Sequence, residues 1–227
     1  LMFNFSLLIL CAGLGKRMSH LTKNIPKPLL KVYNKTLLAN TINFFTDIGC
    51  NEIFINTHYL HNKIETYVDR NFNNYPIKLI YEPLILGTGG GIKNIFNYTK
   101  SKKICVVNSD IFWQKNNKLE LLNFLDDFDK ISHCKILLSK ENNFFGLKGN
   151  KGDFNIQNGI VSNWLEGSEV IYYSGFQIVC RNIFDKSKIV FPMNEVWNNL
   201  IIDQNLKGDL ILSKILHVGD KNSFEAL

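Results

Sequence analysis

Short apolar runs alternate with longer amphipathic stretches through the first half of the chain. Segments 7–10, 52–56, 77–81 and 104–107 have the length and composition of buried strands, whereas 36–48, 60–70 and 92–97 carry helical spacing. Strand–helix–strand repeated in this way predicts a mainly parallel sheet covered by helices on both faces, a three-layer α/β sandwich. Ligands of such sheets sit beyond the carboxyl ends of the strands. Three strands run into polar or glycine-bearing turns, Ala12-Gly13, Glu82-Pro83 and Asn108-Ser109-Asp110; all three turns should therefore share one rim. In the second half, 135–139, 155–157, 161–165, 170–178 and 210–218 read as mixed or antiparallel strands, able to wall a second pocket beside the first. No internal repeat, low-complexity tract, linker or hexapeptide-repeat run interrupts the pattern, so one domain over 1–227 is expected.

Composition narrows this picture. At 227 residues and 45% hydrophobic content the chain can bury one sizeable core. The apolar run 7–10 is too short to span a bilayer or to form a signal-peptide core, which predicts a cytoplasmic protein with no membrane partner. Cys11, Cys50, Cys105, Cys134 and Cys180 are scattered singly, a pattern of reduced core thiols rather than a disulfide frame. The net charge of +6 comes from dispersed lysines with no basic stripe interleaved with aromatics, so nucleic acid is not an expected partner. The expected assembly is a monomer or small homo-oligomer.

The chemistry concentrates where the first strand ends. Leu10-Cys11-Ala12-Gly13-Leu14-Gly15-Lys16-Arg17 delivers a buried strand into a glycine loop and a pair of cations, and Pro26-Lys27-Pro28 adds a third. Gly13 and Gly15 let backbone N–H groups turn toward an anion, and Lys16, Arg17 and Lys27 supply compensating charge, as a nucleoside triphosphate requires. Met18 stands where a dinucleotide fingerprint needs its third glycine, and Arg17 where a Walker A loop needs Ser or Thr. Asp110, at the end of 104–107, brings a carboxylate to the same rim, and a single such oxygen donor suits Mg2+ shared with phosphates. The cluster Gly87-Thr88-Gly89-Gly90-Gly91, between a strand and a helix, would let backbone approach a flat base and ribose.

Leu10, Gly13, Gly15, Arg17, Thr22, Pro26, Lys27 and Pro28 fit Leu-x-x-Gly-x-Gly-x-Arg, then Thr, then Pro-Lys-Pro, and in this the sequence resembles the sugar-1-phosphate nucleotidyltransferases. The resemblance implies a single-domain Rossmann-like fold, with a nucleotide-binding half over about 1–115 and a smaller β-rich sugar-binding half over about 116–227. It also implies a reaction: a sugar 1-phosphate oxygen attacks the α-phosphorus of a nucleoside triphosphate and pyrophosphate leaves, with Mg2+ as cofactor. In this pattern Arg17 grips the departing phosphates and Lys27 the α-phosphate. Leu10, Ala12, Gly13, Gly15, Lys16, Glu82, Gly87, Thr88, Gly89 and Asn108 form the expected nucleotide site, and Gly152, Asp153, Ser174, Gly175 and Glu195 the expected sugar site.

Asp110 is the expected metal ligand. A second metal carboxylate usually lies in a late Trp-x-Asp-x-Gly-Thr segment; here Leu216-His217-Val218-Gly219-Asp220 places His217 in its position, with Asp220 as an alternative oxygen donor. Around Trp164-Leu165-Glu166-Gly167 the lysine that some relatives direct at the sugar phosphate is missing. Thr88 followed by three glycines looks most like the N-acetylmuramate 1-phosphate branch, which makes UTP and that sugar phosphate the favoured pair. Mannose-1-phosphate guanylyltransferase and phosphocholine cytidylyltransferase activities are the alternatives within the class. A non-catalytic sensor of nucleotide sugars is the alternative outside it.

Overall fold

Successive residues of strand β1 (Phe5–Cys11) enter two different cores: Leu7, Ile9 and Cys11 pack on one side, Leu8 on the other. A strand buried on both faces belongs inside a sheet covered by two helical layers, and this is what surrounds it in the computed structural model, which describes residues 4–184 and 188–227. After β1 come β2 (Lys31–Val32), β3 (Lys35–Thr36), α1 (Leu37–Asp47), β4 (Cys50–Thr57), α2 (His61–Asn71), β5 (Ile77–Tyr81), α3 (Gly87–Ile95) and β6 (Lys103–Asn108). The second half holds β7 (Ile111–Phe112), α4 (Lys118–Leu125), β8 (Cys134–Lys140), β9 (Phe144–Phe145), β10 (Phe154–Gln157), β11 (Ile160–Asn163) and β12 (Ile171–Cys180). It closes with α5 (Met193–Ile202), β13 (Leu206–Ile211), β14 (Ile215–His217) and α6 (Lys221–Glu225).

Nine strands form one sheet in the order β10-β11-β13-β8-β12-β6-β1-β4-β5. All but β11 and β12 run in the same direction. Buried residues of α1, α2 and α4 cover one face and those of α3 and α5 the other. The fold is thus the single α/β sandwich with a mixed, mostly parallel sheet that the alternation of elements predicts. Helix α1 starts where the Thr36 hydroxyl accepts the Ala39 N–H at 3.0 Å, satisfying one of the helix's free amides.

Two expectations are corrected. Segment 210–218 is not one strand. Glu120 at the start of α4 accepts the backbone N–H groups of Leu212 and Ser213 at 2.6 and 2.8 Å, and the Asn117 side chain donates to Lys214 O at 3.1 Å. These bonds stop β13 and divert the chain into a separate three-stranded sheet, β7-β14-β9, which carries His217 beneath Asp110. Nor is the glycine cluster a loop before a helix starting near residue 92: α3 begins at Gly87 and the glycines are its first turns.

Segment 188–192 lies across those turns. A Cβ on Gly90 would stand 2.3 Å from Ile189 O, and one on Gly89 2.4 Å from the Phe191 ring, so the glycines are required by this crossing chain.

Candidate active site

The in-register strands β1, β4, β5 and β6 place Leu10, Asn56, Ile80 and Asn108 level with one another, and the turns that follow meet at one rim. There they enclose a cavity of about 540 Å3 lined by Leu10, Ala12, Gly13, Gly15, Lys16, Arg17, Lys27, Glu82, Gly87, Thr88, Asn108 and Asp110, among others. Of the expected nucleotide set only Gly89 is absent, buried instead under Phe191.

The loop after β1 is held by its own motif residues. Gly15 adopts φ 65°, and its carbonyl accepts the Met18 N–H at 2.9 Å and the Thr22 hydroxyl at 3.0 Å. Thr22 therefore earns its place in the pattern by pinning the turn. A Cβ on Gly13 would meet nothing within 4 Å, so that glycine leaves space above the backbone rather than relieving a clash. Lys16 and Arg17 are exposed, and among the described residues their side chains engage no hydrogen bond or ion pair within the protein.

Lys27 differs. The extended Pro26 (φ −64°, ψ 143°) aims it inward, where Nζ donates to Asp110 Oδ2 at 2.8 Å and to Gly219 O at 3.3 Å. The pair is nearly enclosed, with side chains 12% and 15% exposed. Burial alone would raise the Asp110 pKa, but the Lys27 ammonium and His217 outweigh it and hold the carboxyl well below the usual range. Asp110 Oδ1, also buried, has no hydrogen-bond partner.

His217 stands behind Asp110, with Nε2 3.4 Å from Oδ2 and its ring 5.6 Å from that of Phe144. It does not line the cavity. Asp220 turns away to cap α6, its Oδ1 accepting the Ser223 N–H at 2.8 Å. Among the described residues no group of three or more His, Cys, Asp or Glu side chains gathers as a metal cluster.

Asn56, which the sequence reading missed, ties the rim together: Oδ1 accepts the Cys11 N–H and Nδ2 donates to Glu82 Oε1, both at 2.9 Å. Its signal is an amide directly after the apolar run Ile53-Phe54-Ile55 near the carboxyl end of β4. Burial raises the pKa of Glu82 against these hydrogen bonds. His58 Nδ1 lies 2.6 Å from Glu82 O and the residue does not line the cavity. All five cysteines are free and buried, and burial pushes the Cys11 thiol up to about 12, so the loop offers no thiolate nucleophile.

A second cavity of about 390 Å3 adjoins the first and shares Leu10, Thr88 and Asn108 with it. Its walls combine aromatic faces (Phe154, Tyr173, Trp197), amides (Asn163, Gln177, Asn194, Asn198) and the Lys151-Gly152-Asp153 turn. Trp197 Nε1 donates to Gln177 Oε1 at 3.1 Å, and Tyr173 packs edge-on to Trp197 with centroids 4.8 Å apart. Asp153 Oδ2 accepts the Tyr173 N–H at 2.9 Å.

Three residues expected at the sugar lie elsewhere. Ser174 is fully buried, donating to Leu137 O at 2.7 Å, and Gly175 (φ 86°) abuts Ile111, because the two form an irregularity in β12 that turns them into the core. Glu195 is on the outer side of α5, in a groove with Lys188 and Asp203. The aromatic and amide walls had no spacing signal, since they come from four separate elements. No helix of the described residues is long and apolar enough to cross a membrane.

Over 103 residues, 45% of each chain, this protein is 33% identical to D-glycero-alpha-D-manno-heptose 1-phosphate guanylyltransferase of Aneurinibacillus thermoaerophilus, so the match spans under half of that relative. It is 24% identical over 222 residues to N-acetylmuramate alpha-1-phosphate uridylyltransferase of Caulobacter vibrioides, covering 94% of this chain and 91% of that one. In fold it is similar to HddC from Yersinia pseudotuberculosis complexed with GMP-PN, with a TM-score of 0.76, 23% identity and coverage of 98% and 97%. The model of the nucleotidyl transferase family matches residues 6–156, which contain the glycine loop, Pro26-Lys27-Pro28 and Asp110. The chain belongs to the nucleotidyl transferase family.

Proposed function

We propose that this protein transfers a nucleoside monophosphate from a nucleoside triphosphate to a sugar 1-phosphate, releasing pyrophosphate. The observation that carries the reading is the pairing of two contiguous cavities, one edged by Lys16, Arg17, Lys27 and Asp110, the other walled by aromatic rings and amides. The first suits a triphosphate and the second a hydroxyl-rich ring. An oxygen of the sugar phosphate attacks the α-phosphorus, the bond from that phosphorus to the β-phosphate bridging oxygen breaks, and pyrophosphate leaves; no protein nucleophile is needed. Exposed Lys16 and Arg17 hold the leaving phosphates. Lys27 exchanges its Asp110 partner for the phosphate under attack, and orientation with charge neutralisation supplies the rate.

The donor set fits Mg2+: Asp110 offers a buried, unpartnered Oδ1, and Mg2+ commonly takes one carboxylate with phosphate oxygens and water. When bound it would neutralise charge on the phosphates. Asp220 has Oδ1 in its helix cap and does not line the cavity, so the proposed set rests on Asp110.

UTP with N-acetylmuramate 1-phosphate is the first pair to test, supported by similarity along 94% of the chain. GTP with a heptose 1-phosphate is the second, supported by the more identical but shorter match. A panel of four triphosphates against several sugar 1-phosphates, read as Mg2+-dependent pyrophosphate release, should give turnover for one pair. A protein that binds nucleotide and turns over none would be the nucleotide-sugar sensor instead.

Because His217 contacts Asp110 without reaching the cavity, His217→Ala should lower turnover by about tenfold, the scale of a lost outer partner. Unchanged rate and Mg2+ dependence would remove His217 from the site.

A further inference from the structure

Among the described residues Thr88 is the one that lines both cavities and also hydrogen-bonds to α5, the helix that walls the second. Its Oγ1 accepts the Met193 N–H at 2.8 Å, and Met193 is the first residue of α5. That amide is one of the four a helix start leaves without internal partners, and Pro192, which precedes it, has no side chain able to cap it. Thr88 thus caps a helix from a different element.

Two backbone bonds parallel this one. Gly90 N–H donates to Phe191 O at 3.1 Å and Phe191 N–H to Leu86 O at 3.0 Å. The start of α3, whose Gly87 and Thr88 face the nucleotide cavity, is therefore laced to the start of α5. From there α5 presents Met193, Asn194, Trp197 and Asn198 to the second cavity. Gly89 and Gly90 leave the room this contact needs.

We infer that Thr88 is a positioning residue that sets the acceptor pocket through α5, and that it makes acceptor affinity depend on nucleotide occupancy of α3. This rests on the assignment of the two cavities to triphosphate and sugar phosphate. By linkage, the factor by which bound triphosphate strengthens acceptor binding is also the factor by which bound acceptor strengthens triphosphate binding.

Hydrogen–deuterium exchange on the ligand-free protein tests the tie itself. Amides 193–197 should exchange about tenfold faster in Thr88→Val, the scale of one lost hydrogen bond, and at the wild-type rate in Thr88→Ser, which keeps the hydroxyl. Equal rates in all three proteins overturn the tie. Steady-state kinetics test its consequence, using UTP with N-acetylmuramate 1-phosphate and GTP with D-glycero-α-D-manno-heptose 1-phosphate. Thr88→Val should raise the KM for the sugar phosphate about tenfold at saturating triphosphate, and leave the triphosphate Kd, measured by calorimetry without acceptor, within about twofold, because the coupling acts only when both sites are filled. A rise confined to the triphosphate Kd would mean that the hydroxyl reads the nucleotide, and the inference fails. Absence of wild-type turnover on both pairs would count against the proposed substrates while the exchange result still judges the tie. If Thr88→Val does not fold, wild-type exchange with and without UTP or GTP decides: protection should spread from 87–92 to 193–197, and protection confined to 87–92 overturns the inference.

Discussion

Replacing Asp110 by asparagine should cut turnover by about a thousandfold or more while leaving triphosphate affinity within about tenfold of wild type. The asymmetry follows from where charge is needed. On the proposed reading, nucleotide binding draws on Lys16, Arg17 and the backbone of the glycine loop, whereas the hydrogen-bond and ion-pair partners of the Asp110 carboxylate are Lys27 and His217. Catalysis on the proposed reading needs an anionic oxygen to hold Mg2+ against the phosphates, and Asp110 is the buried carboxylate beside Lys27 that still has an oxygen without a partner. Asparagine keeps the shape but supplies a neutral oxygen and an N–H2 group, which would face either the metal position or the Lys27 ammonium. Calorimetric titration with UTP and GTP, alongside pyrophosphate release across an Mg2+ series, separates the two effects. Turnover within tenfold of wild type would place the metal elsewhere.

How much of this was legible in the sequence depends on the range of the contacts involved. The parallel half was legible because each strand carries its own period and its own terminal turn: 77–81 is the observed β5, and the turns after β1, β5 and β6 meet at one rim. The first loop was legible for the same reason, its turn being closed by Thr22 on Gly15 within seven residues. What failed was non-local. The polar contacts that cut 210–218 into β13 and β14 come from Glu120 and Asn117, more than 90 residues away in sequence. Gly89 looked like room for a base because the chain that fills that room, Phe191, arrives about a hundred residues later.

Ser174-Gly175 teaches the same lesson at closer quarters. Small residues in a strand suggest space for a ligand, but here the space is occupied by Ile111 and by the carbonyl of Leu137. Composition can say that a position is small; only the neighbouring strand says what occupies the gap. The opening motif is local, spanning 10–28 with its turn closed by Thr22 on Gly15, whereas the second cavity is walled from β10, β11, β12 and α5 and has no motif of its own.

Lys27→Met should lose about 100- to 1,000-fold in turnover, and unlike a purely catalytic change it should also lower stability. Lys27 and Asp110 are 12% and 15% exposed, so removing the ammonium strands a carboxylate in a largely enclosed setting, with His217 at 3.4 Å as its remaining ionisable partner. Breaking such a pair from one side costs roughly 2–4 kcal/mol, near the lower end for buried pairs because some solvent contact remains. For a chain of this size that corresponds to a fall in Tm of roughly 4–16 °C. The double variant Lys27→Met with Asp110→Asn distinguishes the causes. With no charge left to strand, its Tm should recover most of the loss, since neutral replacement of both partners is often close to neutral in stability, while turnover stays abolished. If instead the double variant melts as low as Lys27→Met, the lost packing of the lysine stem, and not the uncompensated carboxylate, sets the stability of this corner of the site.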